Sequence, residues 1–216
     1  MMGPSKKAKH RLIVEGRDDQ HAVIHLLKRH GIEWDDPSED IPFIEDANGV
    51  SNMLTPDSVS ANLKNYRRVG WILDADIHPT DRWRSIRRLM ESSGLSVTET
   101  PEPDGTIIEG LRSGSRVGVW LMPDNRSPGM LEDFLAKLVP ATDTSWPLAE
   151  ESTDQALELA AGIEVKDRSK GVIHAWLAWQ KEPGLPLGTA LTARILGHDS
   201  PESRSFVSWF KRLFIE

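Results

Sequence analysis

Short apolar runs alternate with segments in which apolar residues recur every three or four positions along the first two thirds of the chain. The runs contain many β-branched and aromatic residues and predict buried strands, whereas the spaced segments predict amphipathic helices. The predicted strands cover residues 11–15, 41–45, 69–73 and 117–122, with a further short strand at 106–108. The predicted helices follow Asp19, begin near Ser58 and Asp81, and include Leu131 to Leu138.

This order of elements predicts an α/β domain with a mostly parallel sheet that is covered by helices, because parallel strands need crossover connections. Beyond Pro140 the strand pattern stops, and helices are predicted at 152–161, 169–180 and 203–214. We therefore expect a flexible tail at residues 1–9 and an α/β domain at 10–140. Residues 141–216 are expected to form a helical extension packed on the same domain.

Acidic side chains follow two of the predicted strands where each strand leaves the sheet. Glu15 ends the first strand and precedes Asp18 and Asp19, while Asp74 and Asp76 end the strand that starts at residue 69. Ligands of open α/β sheets bind at the carboxyl ends of strands. Acids gathered there repel one another unless a cation lies between them. If residues 74–76 stay extended, both aspartates point the same way, and the pattern predicts a Mg²⁺ site.

Composition and charge limit the kinds of site and the partners that the sequence allows. The 216 residues contain no cysteine, which excludes disulfides and thiolate zinc sites and is compatible with the cytoplasmic location that we expect. No apolar run reaches membrane-spanning length. The net charge of −7 does not favour binding to nucleic acid. Four arginines crowd into one predicted helix, where they could hold phosphates, although an exposed helix face is the favoured interpretation. They are Arg82, Arg84, Arg87 and Arg88.

Two motifs give a more specific resemblance. Ile13-Val-Glu15-Gly16 with Asp19, followed by Ile72-Leu-Asp74-Ala-Asp76, resembles the Toprim domain of topoisomerases, primases and the overcoming-lysogenization-defect nucleases. The resemblance covers residues 10–140. The segment Pro128 to Glu132, after a strand that ends at Asp124, resembles a group of stand-alone Toprim-like proteins related to those nucleases. The resemblance implies a Toprim-like Rossmannoid fold, with a mostly parallel sheet flanked by helices and a helical C-terminal extension.

The resemblance also implies roles for individual residues. Glu15 would be a general acid/base or a metal ligand, and Asp74 and Asp76 would bind Mg²⁺ or Mn²⁺. The full set of implied metal ligands, with room for a second ion, is Glu15, Asp19, Asp74, Asp76, Asp124 and Glu132. The implied catalytic residues are Glu15, Asp74, Asp76 and Lys170. Lys170 would lie near the scissile phosphate, although a hydrated helix start is the favoured interpretation of this lysine.

The predicted activity is therefore Mg²⁺-dependent phosphodiester chemistry on nucleic acid, DNA rather than RNA, in defence or repair. The resemblance leaves room for a separate ATPase partner and for a homo-oligomer, and no membrane is implied. Tyr66 is the only tyrosine and lies outside the motifs, so a topoisomerase nucleophile is missing. A catalytically inactive binding module is one alternative. A haloacid-dehalogenase-like phosphatase is the other, because Ile72 to Ile77 resembles that family's nucleophile strand, but His78 departs from its pattern.

Overall fold

The computed structural model describes residues 3–5, 7–35 and 37–216, and these residues contain one five-stranded sheet with the order β2-β1-β3-β5-β4. The strands are β1 (His10–Val14), β2 (Phe43–Asp46), β3 (Arg68–Asp74), β4 (Thr106–Glu109) and β5 (Arg116–Met122). The helices are α1 (Arg17–Arg29), α2 (Val50–Met53), α3 (Pro56–Asn65), α4 (Pro79–Ser92), α5 (Leu131–Ala136), α6 (Trp146–Glu158), α7 (Arg168–Ala178), α8 (Leu187–Thr192) and α9 (Pro201–Phe214).

The sheet is mostly parallel. Strand β1 pairs in parallel with β2 and β3, β3 pairs in parallel with β5, and only the edge strand β4 runs antiparallel. The predicted α/β class, with a mostly parallel sheet flanked by helices, is thus confirmed. Because β1 and β3 are parallel neighbours, their carboxyl ends lie side by side at one edge of the sheet.

Each face of the sheet is covered by its own apolar layer. On one face, β3 and β5 pack against α3 and α4, whose contacts include Leu63, Trp83 and Ile86. On the other face, β1 and β5 pack against α1, α5, α7, α8 and α9 in one continuous core. Helices from the predicted extension therefore bury their apolar sides in the same core as the sheet.

Helix α9 packs closely on the sheet through two paired glycines. Gly70 of β3 and Gly118 of β5 are register partners, and a Cβ atom at either position would meet the side chain of Leu213. Trp209 is fully buried and donates its indole N–H to the carbonyl oxygen of Thr106 at 3.2 Å. The two glycines therefore leave the space that the aromatic face of α9 occupies.

Gly70→Ala should destabilise the protein by about 1–3 kcal/mol, the usual effect of overpacking a close-packed core. A Cβ atom at residue 70 would lie 2.8 Å from Leu12 Cδ1 and 3.0 Å from Leu213 Cδ2, so α9 or β1 must shift. Urea unfolding measures the effect as a lower midpoint with an unchanged slope. An unchanged midpoint would show that α9 does not pack as closely as described.

The sequence-based boundaries differ from the structure in several places. Helix α4 begins at Pro79 instead of Asp81, since proline is well suited to the first position of a helix. Helix α6 begins at Trp146, six residues before its predicted start, and α2 and α8 were not predicted.

Part of the predicted tail at residues 1–9 lies outside the described residues, namely residues 1, 2 and 6. Lys9, at the end of that segment, accepts a backbone hydrogen bond from Arg67. In the part of the chain that the structure describes, none of the helices combines the length and the apolar character that crossing a bilayer requires.

Candidate functional site

Glu15 and Asp74 meet at the carboxyl edge of the sheet. Glu15 directly follows β1 and Asp74 is the last residue of the neighbouring β3. The backbone N–H of Asp74 donates to Glu15 Oε1 at 2.9 Å, which fixes the glutamate side chain against the end of β3. Both side chains are half-buried, so they sit at the margin between the core and the solvent.

Helix α5 brings further acidic groups to this edge. The backbone N–H of Leu131, the first residue of α5, donates to Asp74 Oδ1 at 3.0 Å. The next residue, Glu132, is buried, with 6% of its surface exposed. Asp19, in the first turn of α1, is half-buried on the other side of the site. The structure thus groups Glu15, Asp19, Asp74 and Glu132 closely enough for their charges to interact.

Burial and mutual repulsion make these carboxylates hard to ionise. Burial, followed by repulsion from Asp19, Glu15 and Glu132, raises the pKa of Asp74 to about 9. Burial and the charges of Glu15 and Glu132 raise the pKa of Asp19 to about 7. Burial also raises the pKa of Glu15 and of Glu132, against the opposing influence of the Lys170 ammonium. Without a cation, the folded protein therefore retains protons at this edge at neutral pH.

Asp76 does not lie beside Asp74 as an extended spacing would place it. Its backbone has a φ of 53°, and its N–H and C=O exchange hydrogen bonds with Gly129 at 3.0 and 2.8 Å. This bridge turns the chain, and the Asp76 carboxylate forms an ion pair with Arg82 instead. The extended backbone on which a shared direction of Asp74 and Asp76 depended is therefore not kept, although Asp76 stays close enough to Glu15 for its charge to act on that carboxylate, and its role as a metal ligand stays a prediction.

Two basic side chains border the acidic group. Arg82, in the first turn of α4, pairs with Asp76 and is close enough to Glu15 to influence its charge. Lys170, in the first turn of α7, influences the charges of Glu15 and Glu132. The interpretation of Arg82 as part of a merely exposed helix face is thus wrong, whereas Arg84 pairs with an acid on its own helix.

A hydrogen bond that the sequence did not indicate ties α7 to this site. Ser169 Oγ donates to Asp133 Oδ1 at 2.6 Å, and Asp133 Oδ2 accepts from the backbone N–H of Met130 at 2.8 Å. Asp133 therefore caps α5 and holds the start of α7, so that Lys170 stays near Glu132. The only sequence signal was the acidic first turn of α5, which is typical of an ordinary helix start.

The Asp124 carboxylate accepts its hydrogen bonds from residues of its own loop. Its carboxylate accepts hydrogen bonds from Ser127 N at 2.7 Å, Ser127 Oγ at 2.9 Å and Arg126 N at 3.0 Å. Burial alone would raise the pKa of Asp124, but these hydrogen bonds outweigh it, and the pKa lies below its usual value. Asp124 thus stabilises the turn after β5, and its predicted role as a metal ligand stays a prediction.

An open cleft of about 930 Å³ adjoins the acidic edge. It lies between the start of α4 and the turn at Val165–Asp167, and its walls include Arg82 and Met130. Within residues 3–5, 7–35 and 37–216, no set of three or more histidine, aspartate or glutamate side chains is arranged so that it could hold a metal ion by itself. The acidic edge is therefore a partial ligand set next to a space large enough for a substrate.

Comparison with known proteins gives a family but no assigned activity. No curated protein matches the chain, and no solved structure matches it. The family described as "Protein of unknown function (DUF3226)" matches residues 9–215, which include the whole sheet, the acidic edge and helices α1 to α9. The chain therefore belongs to the DUF3226 family.

Proposed function

We propose that this protein carries out Mg²⁺-dependent phosphodiester chemistry on nucleic acid at the edge formed by Glu15 and Asp74. The observation that carries the proposal is the meeting of these two carboxylates at the ends of adjacent parallel strands, where open α/β sheets bind ligands. A nuclease related to the Toprim proteins is the class that this placement supports best. The same placement favours it over a dehalogenase-like phosphatase, whose nucleophile strand needs no partner such as Glu15.

The acidic edge fits a hard divalent cation in its chemistry. Its available ligands are all carboxylate oxygens, which suit Mg²⁺ or Mn²⁺, and the sequence has no cysteine that would favour a softer metal. Mg²⁺ is commonly held by only one or two carboxylates, with water and substrate phosphate oxygens completing its shell. Glu15 and Asp74 would hold the ion, with Asp19 and Glu132 beside them, so a complete protein ligand set is not required.

Side chains of the protein would accept the proton and bind the substrate phosphate. When bound, the metal supplies Lewis-acid activation of water and of the phosphate oxygens. Glu15 Oε1 is engaged by the backbone of Asp74, which leaves Glu15 Oε2 to accept a proton from the attacking water. Lys170 and Arg82 border the site and would bind the phosphate oxygens of the substrate, with the tether between Ser169 and Asp133 holding Lys170 in position.

A catalytically inactive binding module is the second candidate. The ion pair between Asp76 and Arg82 favours it, since an acid engaged by arginine is less available to a metal. The same arginine could instead move onto a substrate phosphate and release Asp76. The two candidates differ in whether phosphodiester bonds are broken.

Cleavage of nucleic acid by the purified protein tests the proposal. We expect nicking of supercoiled plasmid DNA, or cutting of a labelled RNA oligonucleotide, with Mg²⁺ or Mn²⁺ and no cleavage in EDTA. Agarose gels and denaturing gels measure the products. If neither DNA nor RNA is cut with either metal while calorimetry still detects metal binding, the inactive module replaces the nuclease.

Cellular setting and partners are part of the same proposal. A cytoplasmic location is compatible with the absence of cysteine from the sequence. A separate ATPase partner, a homo-oligomer and a role in defence or repair are implied by the resemblance to Toprim nucleases.

A further inference from the structure

A cationic cleft lies at the amino edge of the sheet, the edge opposite the acidic site. Strand β3 starts at the amino edge and ends at Asp74, so its seven residues separate the two edges by about 20 Å. The cleft has a volume of about 330 Å³. We call it the cationic cleft, and its lining residues are Lys9, Asn65, Arg67, Arg112, Ser113 and Ser115.

Two arginines of the cationic cleft are held in place by backbone carbonyls of each other's segments. Arg67 Nε donates to the carbonyl oxygen of Gly114 at 3.3 Å. Arg112 Nη2 donates to the carbonyl oxygen of Tyr66, the residue before Arg67, at 2.6 Å. The backbone of Arg67 is tied in turn to Lys9 by an N–H···O bond of 3.0 Å. The guanidinium groups are therefore oriented in advance and keep further N–H donors for a ligand.

The positive charge of these two arginines is not balanced by acids. Carbonyl oxygens carry no formal charge, and within the described ranges neither Arg67 nor Arg112 forms an ion pair with a carboxylate. Lys9 does pair with Glu39, but both side chains are largely exposed. In a protein with a net charge of −7, two exposed guanidinium groups that line one cleft attract an anion.

A second cleft shares the lining residue Asn65 with the cationic cleft and has a different chemistry. It has a volume of about 320 Å³. We call it the polar cleft. Its uncharged polar lining includes Ser58, Asn62, Asn65 and Tyr66, and the carboxylates of Glu45 and Asp46 also line it. Arg11 forms one wall, where it pairs with Glu45 and stacks 4.3 Å from the centre of the Tyr66 ring. Amide and hydroxyl groups of this kind suit the hydroxyl groups of a sugar.

We propose that the cationic cleft and the polar cleft together bind a sugar phosphate, with the phosphate on Arg67 and Arg112 and the sugar on the polar side chains around Asn65. Planar guanidinium groups bind phosphate oxygens through paired hydrogen bonds, which a spherical ammonium does not reproduce. The sugar phosphate could be free or part of a nucleotide. The phosphate end of the site lies at the edge of the sheet opposite the acidic edge, and the proposal does not depend on the proposed nuclease activity.

Isothermal titration calorimetry in EDTA tests the proposal on the full chain, because without divalent metal the acidic edge does not attract phosphates. The probes are ribose 5-phosphate, ribose, inorganic phosphate and adenosine monophosphate. We expect ribose 5-phosphate to bind with one site per chain and at least tenfold more tightly than ribose or inorganic phosphate. Arg67→Gln and Arg112→Gln should each weaken it about tenfold, equivalent to about 1.4 kcal/mol. Arg88→Gln, an exposed arginine on α4, is the control with the same charge change.

The other calorimetric results identify the source of the sugar phosphate or overturn the proposal. Tighter binding of adenosine monophosphate than of ribose 5-phosphate identifies a nucleotide as the source of the sugar phosphate, and the reverse order identifies a free sugar phosphate. Equal affinity for inorganic phosphate and ribose 5-phosphate would overturn the role of the polar cleft and with it the proposal. Equal losses of affinity for ribose 5-phosphate in Arg67→Gln and Arg88→Gln would also overturn the proposal. The same holds if the wild-type protein, with a normal melting temperature, shows no saturable binding.

Discussion

Asp74→Asn and Glu15→Gln should each lower metal-dependent cleavage of nucleic acid by about 10³-fold, the range in which loss of a general base or of metal activation falls. Both substitutions keep the shape of the side chain. The new amide oxygens can still accept the hydrogen bonds from Leu131 and Asp74, so the local structure should persist. What disappears is the negative charge that would hold the cation and, at Glu15, the oxygen that would accept a proton.

Initial rates of plasmid nicking with Mg²⁺ or Mn²⁺ measure this effect, and calorimetry of metal binding separates its two causes. Asp74→Asn should lose both metal binding and cleavage, because the Asp74 carboxylate is proposed to hold the ion. Asp57→Asn, on the exposed first turn of α3, removes the same charge elsewhere and should leave the rate unchanged. Wild-type rates in a well-folded Asp74→Asn protein would remove the acidic edge from the mechanism.

Asp74→Asn should also stabilise the metal-free protein, by about 2–4 kcal/mol at pH 8. Well below pH 4, Asp74 is protonated in both the folded and the unfolded chain. Between the ordinary aspartate pKa of 3.8 and the folded pKa of about 9, only the folded chain keeps the proton, so stability falls as the pH rises. Each pKa unit corresponds to about 1.4 kcal/mol, and part of the effect is shared with the neighbouring acids. Asparagine takes up no proton and avoids this loss.

Thermal unfolding in EDTA at pH 5, 6.5 and 8 measures the difference. The melting temperature of Asp74→Asn should exceed that of the wild type by about 5–10 °C at pH 8 and by much less at pH 5. In the wild type, Asp19 also contributes to the fall in stability as the pH rises, but only up to its folded pKa of about 7. The exposed Asp57→Asn protein should follow the wild-type curve. An equal rise in melting temperature at pH 5 and pH 8 would indicate an effect of packing. No rise would show that ionisation of Asp74 does not destabilise the folded protein.

The regular elements could be predicted because their physical causes are local. Strand β3 is an almost uninterrupted apolar run, and its residues 69–73 are all buried between two helical layers. The gathering of acids at one edge was predicted from their places at strand ends, and a meeting of Glu15 with Asp74 was implied by the Toprim resemblance; the pairing of β1 with β3 itself joins distant segments. By contrast, α2 and α8 have four and six residues, too few for a helical period to show.

The differences between the predicted and the observed candidate site arise from contacts between segments that are distant in the sequence. The positive φ of Asp76 is set by a pair of hydrogen bonds to Gly129, and nothing near Asp76 in the sequence indicates them. The burial of Glu132 depends on how α5 packs, and the tether between Asp133 and Ser169 joins two helices. The orientation of individual acids therefore needed the structure, although their gathering at one edge did not.

The position of α9 in the chain has a consequence for synthesis in the cell. A ribosome makes every strand of the sheet before it makes residues 201–214, so the groove over Gly70 and Gly118 and the indole of Trp120 stay uncovered until α9 is made. Nascent chains that pause before residue 201 would display this apolar surface and are expected targets for chaperones or proteases. Quality control of this protein should therefore be sensitive to stop codons and stalls between Met122 and Pro201, which leave all the strands intact but their cover missing.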